Sequence, residues 1–313
     1  YGQLLGAAAG ELAVDVAVSI QARNASLELL RSAVAARCYV AMGHDYNLPY
    51  GPWGMAAEEE VTLRSRQLLE HAGTVMLCTS RHLTDYVHRF SEGKVRSRLC
   101  YCADYGYFDP CAPDEFPPAL CPDGDCVTLI SPCPSKGLPV LLRLALTLPT
   151  VRFLCVSTAW TKTLHEVQLW AHPNVEVVQG TDDIGSIYRR TALLLMPSLW
   201  QEAFGLVAVE AQLRGIPVVS TDACGLSEAN FLPELRVAGV EIVFDSRTRE
   251  VLRGVTLQEA ERSLDPRRAG PAAVGAPGAE EAERVRRTHT CIATEAEAAG
   301  FEARVRRLML DEP

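Results

Sequence analysis

The feature of this sequence that most constrains its fold is an alternation of short apolar runs and longer helix-like segments, beginning at residue 127. The apolar runs, each rich in Val, Leu or Ile, are predicted as strands over VTLIS (127–131), VRFLCVS (151–157), VEVVQ (175–179), ALLLMP (192–197), IPVVST (216–221) and VEIVF (240–244). The segments between them are predicted as helices over 138–148, 161–171, 182–191 and 204–214. Strands that are apolar throughout are typical of a parallel sheet covered on both faces, so an α/β, doubly wound fold is predicted.

Residues 1–112 carry the same kinds of signal less regularly. Predicted strands lie at 15–20, 37–42 and 74–79, and predicted helices at 60–71 and 81–90. A segment rich in Pro, Asp and Cys, 109–126, is predicted as a linker. Towards the other end, 264–279 is rich in Pro, Ala and Gly and is predicted to be disordered, and a last helix is expected at about 292–310.

Composition disfavours several classes of function. The 313 residues carry a formal net charge of −9, and 48% of them are hydrophobic, which suits a globular protein with a sizeable core. A negative charge without a block of Lys and Arg disfavours nucleic-acid binding. No apolar stretch reaches the roughly 18 residues that a membrane span needs, so none is predicted.

The chain has 11 cysteines, an odd number with irregular spacing that does not resemble a disulfide framework. The densest group is Cys100, Cys102, Cys111, Cys121 and Cys126. A zinc site there is conceivable, but no paired CxxC spacing occurs. We therefore expect free thiols in a reducing compartment, no bound metal and a cytoplasmic location.

Four loops that follow predicted strands concentrate the polar and flexible residues of the second half. They are SPCPSKG (131–137), GTDD (180–183), PSLWQEAFG (197–205) and TDACG (221–225). Because the carboxyl ends of parallel strands meet at one edge of a sheet, these loops are predicted to line one ligand site. Neither a GxGxxG nor a P-loop motif is present. Lys136 is a candidate for holding a diphosphate, together with the helix that starts near Phe204; the alternative for Lys136 is a solvated surface lysine.

Glu210 lies in an apolar helix and therefore needs partners. One alternative is a salt bridge to Arg214, four residues later. The other is hydrogen bonding to the hydroxyls of a bound ligand. Glu202 lies roughly 9–12 Å closer to the ligand edge at about 1.5 Å per helical residue, so the two carboxylates suit a ligand with two sets of hydroxyls. A hydrolase that uses the two as acid and base is disfavoured, because they would not flank one bond.

The segment EAFGLVAVE (202–210) matches the E-x7-E pattern of retaining glycosyltransferases with the GT-B fold, and resembles family 4, the group 1 transferases. The surrounding residues 197–229, the loop SPCPSKGL and the segment GTDDIGSIYRRTALLLMPS extend the resemblance over about 127–235. It is weaker in YVAMGHDYNLPYGPWG, AGTVMLCTSRHLTDYVHRF and ADYGYFDP of the first half.

The resemblance implies a role for each matched residue. Glu210 would hold ribose hydroxyls, Glu202 would contact the donor sugar, and Lys136 would bind the diphosphate as leaving group. His44 would approach the sugar from the facing domain; the alternative is a polar loop histidine. Backbone N–H groups near the sugar would come from Phe204, Gly205 and Leu206.

The remaining expected donor contacts lie in the same matched loops. They are Ser131, Gly137, Ser198, Gln179 and Asp183. Ser131 stands where many members of the family carry an arginine, five residues before the lysine. Diphosphate charge would then rest on Lys136, backbone N–H groups and the helix terminus.

The resemblance also implies the organisation of the chain and its activity. Expected are a partial N-terminal acceptor-side Rossmann-like domain (1–118), a nucleotide-sugar domain (119–250), a variable, partly disordered segment (251–290) and a C-terminal helix (291–313) that packs back on the first domain. The chain would be an N-terminally truncated piece of a retaining hexosyltransferase. It would use a nucleotide diphosphate sugar without a cofactor, a hydroxyl acceptor such as a glycan, lipid or small molecule, and peripheral membrane contact through a lipid acceptor. The alternative is a non-catalytic nucleotide-sugar-binding protein; a dehydrogenase is disfavoured because the glycine fingerprint is missing.

Overall fold

The chain divides into two compact units, residues 1–102 with 245–249, and residues 103–244 with 250–313. The computed structural model describes residues 14–19, 36–42, 48–50, 59–101, 124–238, 240, 244–245, 250–251 and 295–310. The units are treated separately below, and the predicted domain boundaries stay predictions.

The first unit contains a four-stranded parallel sheet in the order β1–β2–β3–β4. Its strands are β1 (Val14–Ser19), β2 (Ala36–Met42), β3 (Thr74–Cys78) and β4 (Ser97–Leu99). Two helices accompany them, α1 (Glu59–Glu70) and α2 (Arg81–Phe90). The three predicted strands and two predicted helices are confirmed, whereas the three-residue β4 was not predicted because it is too short to show a pattern.

The second unit contains a six-stranded sheet whose neighbouring strands are all parallel. Its strands are β5 (Cys126–Ile130), β6 (Arg152–Ser157), β7 (Val175–Gln179), β8 (Thr191–Met196), β9 (Val218–Thr221) and β10 (Arg236–Val237). Its helices are α3 (Leu138–Thr147), α4 (Thr163–Trp170), α5 (Ile184–Tyr188), α6 (Leu206–Leu213), α7 (Leu226–Ala229) and α8 (Glu295–Met309). The predicted doubly wound α/β fold is confirmed.

The central strands of this sheet, β5 and β8, are mainly apolar because both of their faces are buried. Leu193 and Leu195 of β8 join a core that also contains Phe301 of α8. Leu194, between them, joins a different core that contains Val209 of α6. Successive strand residues point to opposite faces, so each central strand must supply apolar side chains to two helical layers.

The strand predicted over 240–244 lies mostly outside the described residues. The sixth strand is β10, where Arg236 and Val237 pair with Ser220 and Thr221 of β9. Its register is fixed locally, because the Arg236 Nε donates to the Asn230 carbonyl oxygen at 2.9 Å. Strands β11 (Phe244–Asp245) and β12 (Glu250–Val251) form a separate two-stranded sheet, and residues 241–243 lie outside the described part.

Helix α8 confirms the predicted last helix and packs on the second unit. Its residues Phe301 and Val305 are fully buried. Arg304 donates from Nη2 to the Arg236 carbonyl oxygen at 2.6 Å and from Nε to the Glu234 carbonyl oxygen at 3.1 Å. Packing of this helix on the first domain stays a prediction.

The six strands lie in the order β10–β9–β8–β5–β6–β7, so successive strands of the chain are added on one side of β5 and then on its other side. The chain builds the sheet outward from β5 through β6 to β7, and then from β8 through β9 to β10. In such sheets the crevice outside the carboxyl ends of the two central strands is the usual ligand site. Here those strands are β5 and β8, which are followed by residues 131–137 and 197–205.

The two loops after β5 and β8 are held together through their backbones. The Leu199 N–H donates to the Ser135 carbonyl oxygen at 2.9 Å. Gly137 adopts a left-handed conformation with φ of 84°, and a Cβ placed on it would lie 2.1 Å from the Pro197 carbonyl oxygen. Only glycine therefore fits at 137, where a 3₁₀ turn (Pro134–Lys136) meets the start of α3.

Replacement of Phe301 with Ala is expected to lower the free energy of unfolding by about 3–5 kcal/mol, because it leaves a cavity in the core. Leu308 on the same helix is 37% exposed, so Leu308→Ala is the matched control and is expected to cost about 1 kcal/mol or less. Urea unfolding curves measure both. Equal losses would contradict the packing of α8 on this core.

Replacement of Gly137 with Ala is expected to lower the free energy of unfolding by about 2–5 kcal/mol, from left-handed strain and overlap with Pro197. Gly185→Ala is the control, because its Cβ would meet only the ends of the Asp183 and Arg189 side chains, at 3.1 and 3.4 Å. That variant should be as stable as the parent or more so, since Ala favours helix over Gly. Thermal unfolding distinguishes the two variants, and a neutral Gly137→Ala would refute the close approach.

Candidate functional site

The loop after β5 begins in a strained backbone conformation. Ser131 has φ of 60°, in the left-handed region that residues with a side chain rarely adopt. Its N–H donates to the Val156 carbonyl oxygen at 2.9 Å, and its hydroxyl lies 2.8 Å from the Thr158 hydroxyl at the end of β6. These bonds turn the chain sharply at the sheet edge and lead it to Lys136, the last residue of the 3₁₀ turn.

The loop after β8 is buried and tied to the loop after β9. The Thr221 hydroxyl donates to the Ser198 carbonyl oxygen at 2.9 Å, and the Gly225 N–H donates to the Glu202 carbonyl oxygen at 2.9 Å. A Cβ on Gly225 would lie 2.2 Å from the Ala203 carbonyl oxygen, so the two loops touch closely. The position of the Glu202 backbone is therefore fixed by its neighbours.

Lys136 and Glu202 form an ion pair that joins the loops after β5 and β8. The Lys136 Nζ lies 2.6 Å from the Glu202 Oε1, and the Ser198 hydroxyl donates to the same oxygen at 2.7 Å. The Nζ also lies 5.3 Å from the centre of the Trp200 ring. Three residues predicted separately are thus brought together, although the sequence did not predict that Lys136 and Glu202 bind each other.

The ion pair keeps a buried carboxylate charged. Glu202 is 7% exposed, and burial by itself raises the pKa of its carboxyl group. The charge and hydrogen bond of Lys136, with hydrogen bonds from Ser198 and Trp200, outweigh burial and bring this pKa below its ordinary value. The site therefore holds a buried anion next to a partly exposed cation at neutral pH.

Glu210 lies on α6 and is half-buried. The Tyr188 hydroxyl donates to its Oε2 at 3.1 Å. Arg214 donates from Nη1 to the main-chain carbonyl oxygen of Glu210 at 3.2 Å, while its guanidinium lies 4.7 Å from the centre of the Tyr188 ring. Burial, followed by the charge and hydrogen bond of Glu210, raises the pKa of Tyr188. Tyr188 is thus a partner of Glu210 that the sequence analysis did not name, and the ribose role of Glu210 stays a prediction.

The start of α6 places its first backbone N–H groups at the same edge. Gly205 precedes the helix with φ of 110°, and Leu206 is its first residue. The helix starts two residues later than predicted because of this left-handed glycine. The Phe204 side chain is 7% exposed and packs in the core, so only its backbone can face a ligand. The first N–H groups of a helix have no acceptor within it, which suits the anion site that was predicted.

Gln179 and Asp183, after β7, have local partners. The Gln179 side-chain amide donates to the Glu166 Oε1 at 3.1 Å, as does the Ser157 hydroxyl at 2.5 Å. Asp183 accepts from the Ser186 N–H at 3.2 Å and so caps α5. Neither has a described contact with Lys136 or Glu202, and their roles as donor contacts stay predictions.

Some expectations fall outside what the structure describes. His44 lies among the residues that are not described. In the described part of the chain, no group of three or more His, Cys, Asp or Glu residues is placed to hold a metal ion. Across the same residues, every helix is too short or too polar to cross a membrane.

The sequence analysis missed Trp200 and Tyr188. Trp200 stands two residues before Glu202 in a loop already singled out, so its place beside a candidate carboxylate was an available signal. Tyr188 lies 22 residues from Glu210 in the sequence, and nothing in the spacing connects them.

The second unit is similar in sequence to known proteins. Residues 126–240 match the family model described as "Glycosyl transferases group 1". A D-inositol 3-phosphate glycosyltransferase of Mycobacterium sp. (strain KMS) is 35% identical over 106 residues, which are 31% of this chain and 24% of the relative. Another from Corynebacterium kroppenstedtii is 51% identical over 45 residues, 14% of this chain and 10% of that protein. The chain thus spans less than a quarter of the length of these curated relatives.

Solved structures are similar over nearly the whole chain. A glycosyltransferase from Rickettsia africae ESF-5 has a TM-score of 0.55 at 13% identity, covering 100% of this chain and 81% of that one. Sucrose-phosphate synthase from Thermosynechococcus elongatus has a TM-score of 0.55 at 17% identity, covering 99% and 78%. Anabaena HepE in complex with UDP and glucose has a TM-score of 0.55 at 16% identity, covering 99% and 80%. The protein is therefore similar in fold to GT-B glycosyltransferases and, over residues 126–240, similar in sequence to the group 1 glycosyltransferases.

Proposed function

We propose that the protein is a retaining glycosyltransferase of family 4. It would transfer a hexose from a nucleotide diphosphate sugar to a hydroxyl acceptor. The observation that carries the proposal is the pairing of Lys136 with Glu202 at the carboxyl ends of β5 and β8. A cation for phosphate and an acceptor for sugar hydroxyls then stand side by side at the usual ligand edge of such a sheet. Anabaena HepE, which is similar in fold, has been solved with UDP-glucose.

In this proposal the protein stabilises the negative charge that develops on the leaving diphosphate. Lys136 and the backbone N–H groups at the start of α6 would meet that charge, in a site whose loops are already fixed by hydrogen bonds. Ser131 is neutral, so its position supplies no cation, and its hydroxyl is bonded to that of Thr158. The proposal assigns no resident cofactor and no obligatory metal ion, as the resemblance implies.

The two carboxylates would hold different parts of the donor. Glu202 would accept hydrogen bonds from the sugar hydroxyls, and Glu210 from the ribose hydroxyls. His44 would approach the sugar during transfer. The acceptor would be a hydroxyl of a glycan, lipid or small molecule; membrane contact and a cytoplasmic location stay predictions.

A second candidate function is a non-catalytic nucleotide-sugar-binding protein. The observation that favours it is Ser131, a neutral residue at a position where related transferases commonly carry an arginine. Calorimetric titration with UDP and GDP, run beside an assay for hydrolysis of UDP-glucose and GDP-mannose, separates the two functions. Binding together with donor turnover supports the transferase, and binding without any turnover supports the second candidate.

Replacement of Glu202 with Ala is expected to reduce donor turnover by at least about 100-fold while nucleoside diphosphate binding is retained, because the lost acceptor faces the sugar. Glu176→Ala is the matched control. Glu176 pairs with Arg190 at 2.5 Å on β7, and both side chains are well exposed, at 46% and 37%. The control should keep full turnover, and unchanged turnover in Glu202→Ala would reject the role of Glu202.

A further inference from the structure

The group proposed to bind diphosphate already has an anionic partner within the protein. The Lys136 Nζ is bonded to Glu202 at 2.6 Å, and 29% of the Lys136 side chain is exposed. A diphosphate that approaches from the exposed side therefore meets a cation whose charge is largely balanced. The binding of diphosphate and the environment of Glu202 are coupled through this one ammonium group.

We propose that the Lys136–Glu202 ion pair makes the site prefer an intact nucleotide diphosphate sugar over the free nucleoside diphosphate. This inference rests on the proposed function and adds to it a means of distinguishing donor from product. Three steps lead to it.

The first step is the loss of the Glu202 partner. A lysine ammonium has three N–H donors, so Lys136 either leaves Glu202 for the diphosphate or contacts both. If it leaves, Glu202 loses its cation. If it is shared, two anions lie on either side of one positive charge and repel each other. Either arrangement makes Glu202 less stable than it is in the ion pair.

The second step is that little water can reach Glu202 as a substitute. Its exposed fraction is 7%, and its backbone is fixed by the bond from Gly225. The hydrogen bonds from Ser198 and Trp200 remain, and neutral donors do not replace a cation for a buried carboxylate. A bound nucleoside diphosphate alone therefore leaves a penalty at Glu202.

The third step is that the sugar of the donor removes this penalty. A hydroxyl group of a hexose next to the diphosphate can donate to the carboxylate of Glu202. The donor thus repairs the environment that its own diphosphate disturbs, and the product nucleotide does not. Glu166, which accepts from Ser157 and Gln179, differs from Glu202 because both of these donors are neutral. Its environment therefore does not depend on a cation that a diphosphate could attract.

The test compares binding of UDP with UDP-glucose, and of GDP with GDP-mannose, by calorimetric titration. Glu202→Gln keeps the shape of the side chain and removes its charge. We expect it to tighten binding of the nucleoside diphosphate by about tenfold and to reduce the preference for the nucleotide sugar at least as much. Glu176→Gln, which removes a charge from the exposed pair with Arg190, should change neither affinity.

A second variant is expected to change nucleoside diphosphate binding in the opposite direction. Ser198→Ala removes the hydroxyl that stays on Glu202, so binding of the nucleoside diphosphate should weaken severalfold while the preference for the nucleotide sugar increases. A purely structural role of Ser198 would weaken both ligands equally. Melting curves of each variant show that it is folded.

The outcomes separate this inference from the function on which it rests. If the parent protein binds a nucleotide pair and Glu202→Gln leaves its preference unchanged, the inference is overturned and the proposed function stands. If the parent protein binds none of the four nucleotides, the proposed function is overturned and the inference with it.

Discussion

The burial of both faces of one parallel sheet is the constraint on which the second unit depends. Each central strand must supply apolar side chains to two helical layers, as Leu193 and Leu194 do in turn. No polar side chain that needs water can be placed along the middle of such strands at low cost. Polar groups that must meet a ligand therefore lie at the strand ends, and the change in strand order at β5 brings the ends of β5 and β8 together.

The site that results is rigid around its charges. Glycines at 137 and 225 allow backbones to approach more closely than any side chain would permit, and Gly205 adopts a left-handed conformation with φ of 110°. Within that frame Lys136 and Glu202 satisfy one another, so a buried carboxylate stays ionised without exposure to water. In our proposal, a ligand that uses either residue must compensate the other, which would link the recognition of phosphate to that of sugar.

The sequence was informative wherever one pattern decided the structure. Continuous apolar runs predicted five of the six strands, and loop composition predicted that Lys136, Ser198 and Glu202 lie at one edge. It failed where a short element has no pattern of its own, as at β4 and β10, whose positions depend on pairing with strands distant in sequence. It also failed for partners such as Tyr188, because a side-chain hydrogen bond across two helices leaves no periodic signal.

The way in which Arg304 binds the carbonyl oxygens of Glu234 and Arg236 affects one border of the large sheet. Strand β10 is only two residues long, and its backbone is partly occupied by this guanidinium. A border strand with few available backbone groups is a poor template for a strand from another molecule. Helix α8 thereby disfavours edge-to-edge association of two sheets, and removal of this helix would expose those carbonyl oxygens.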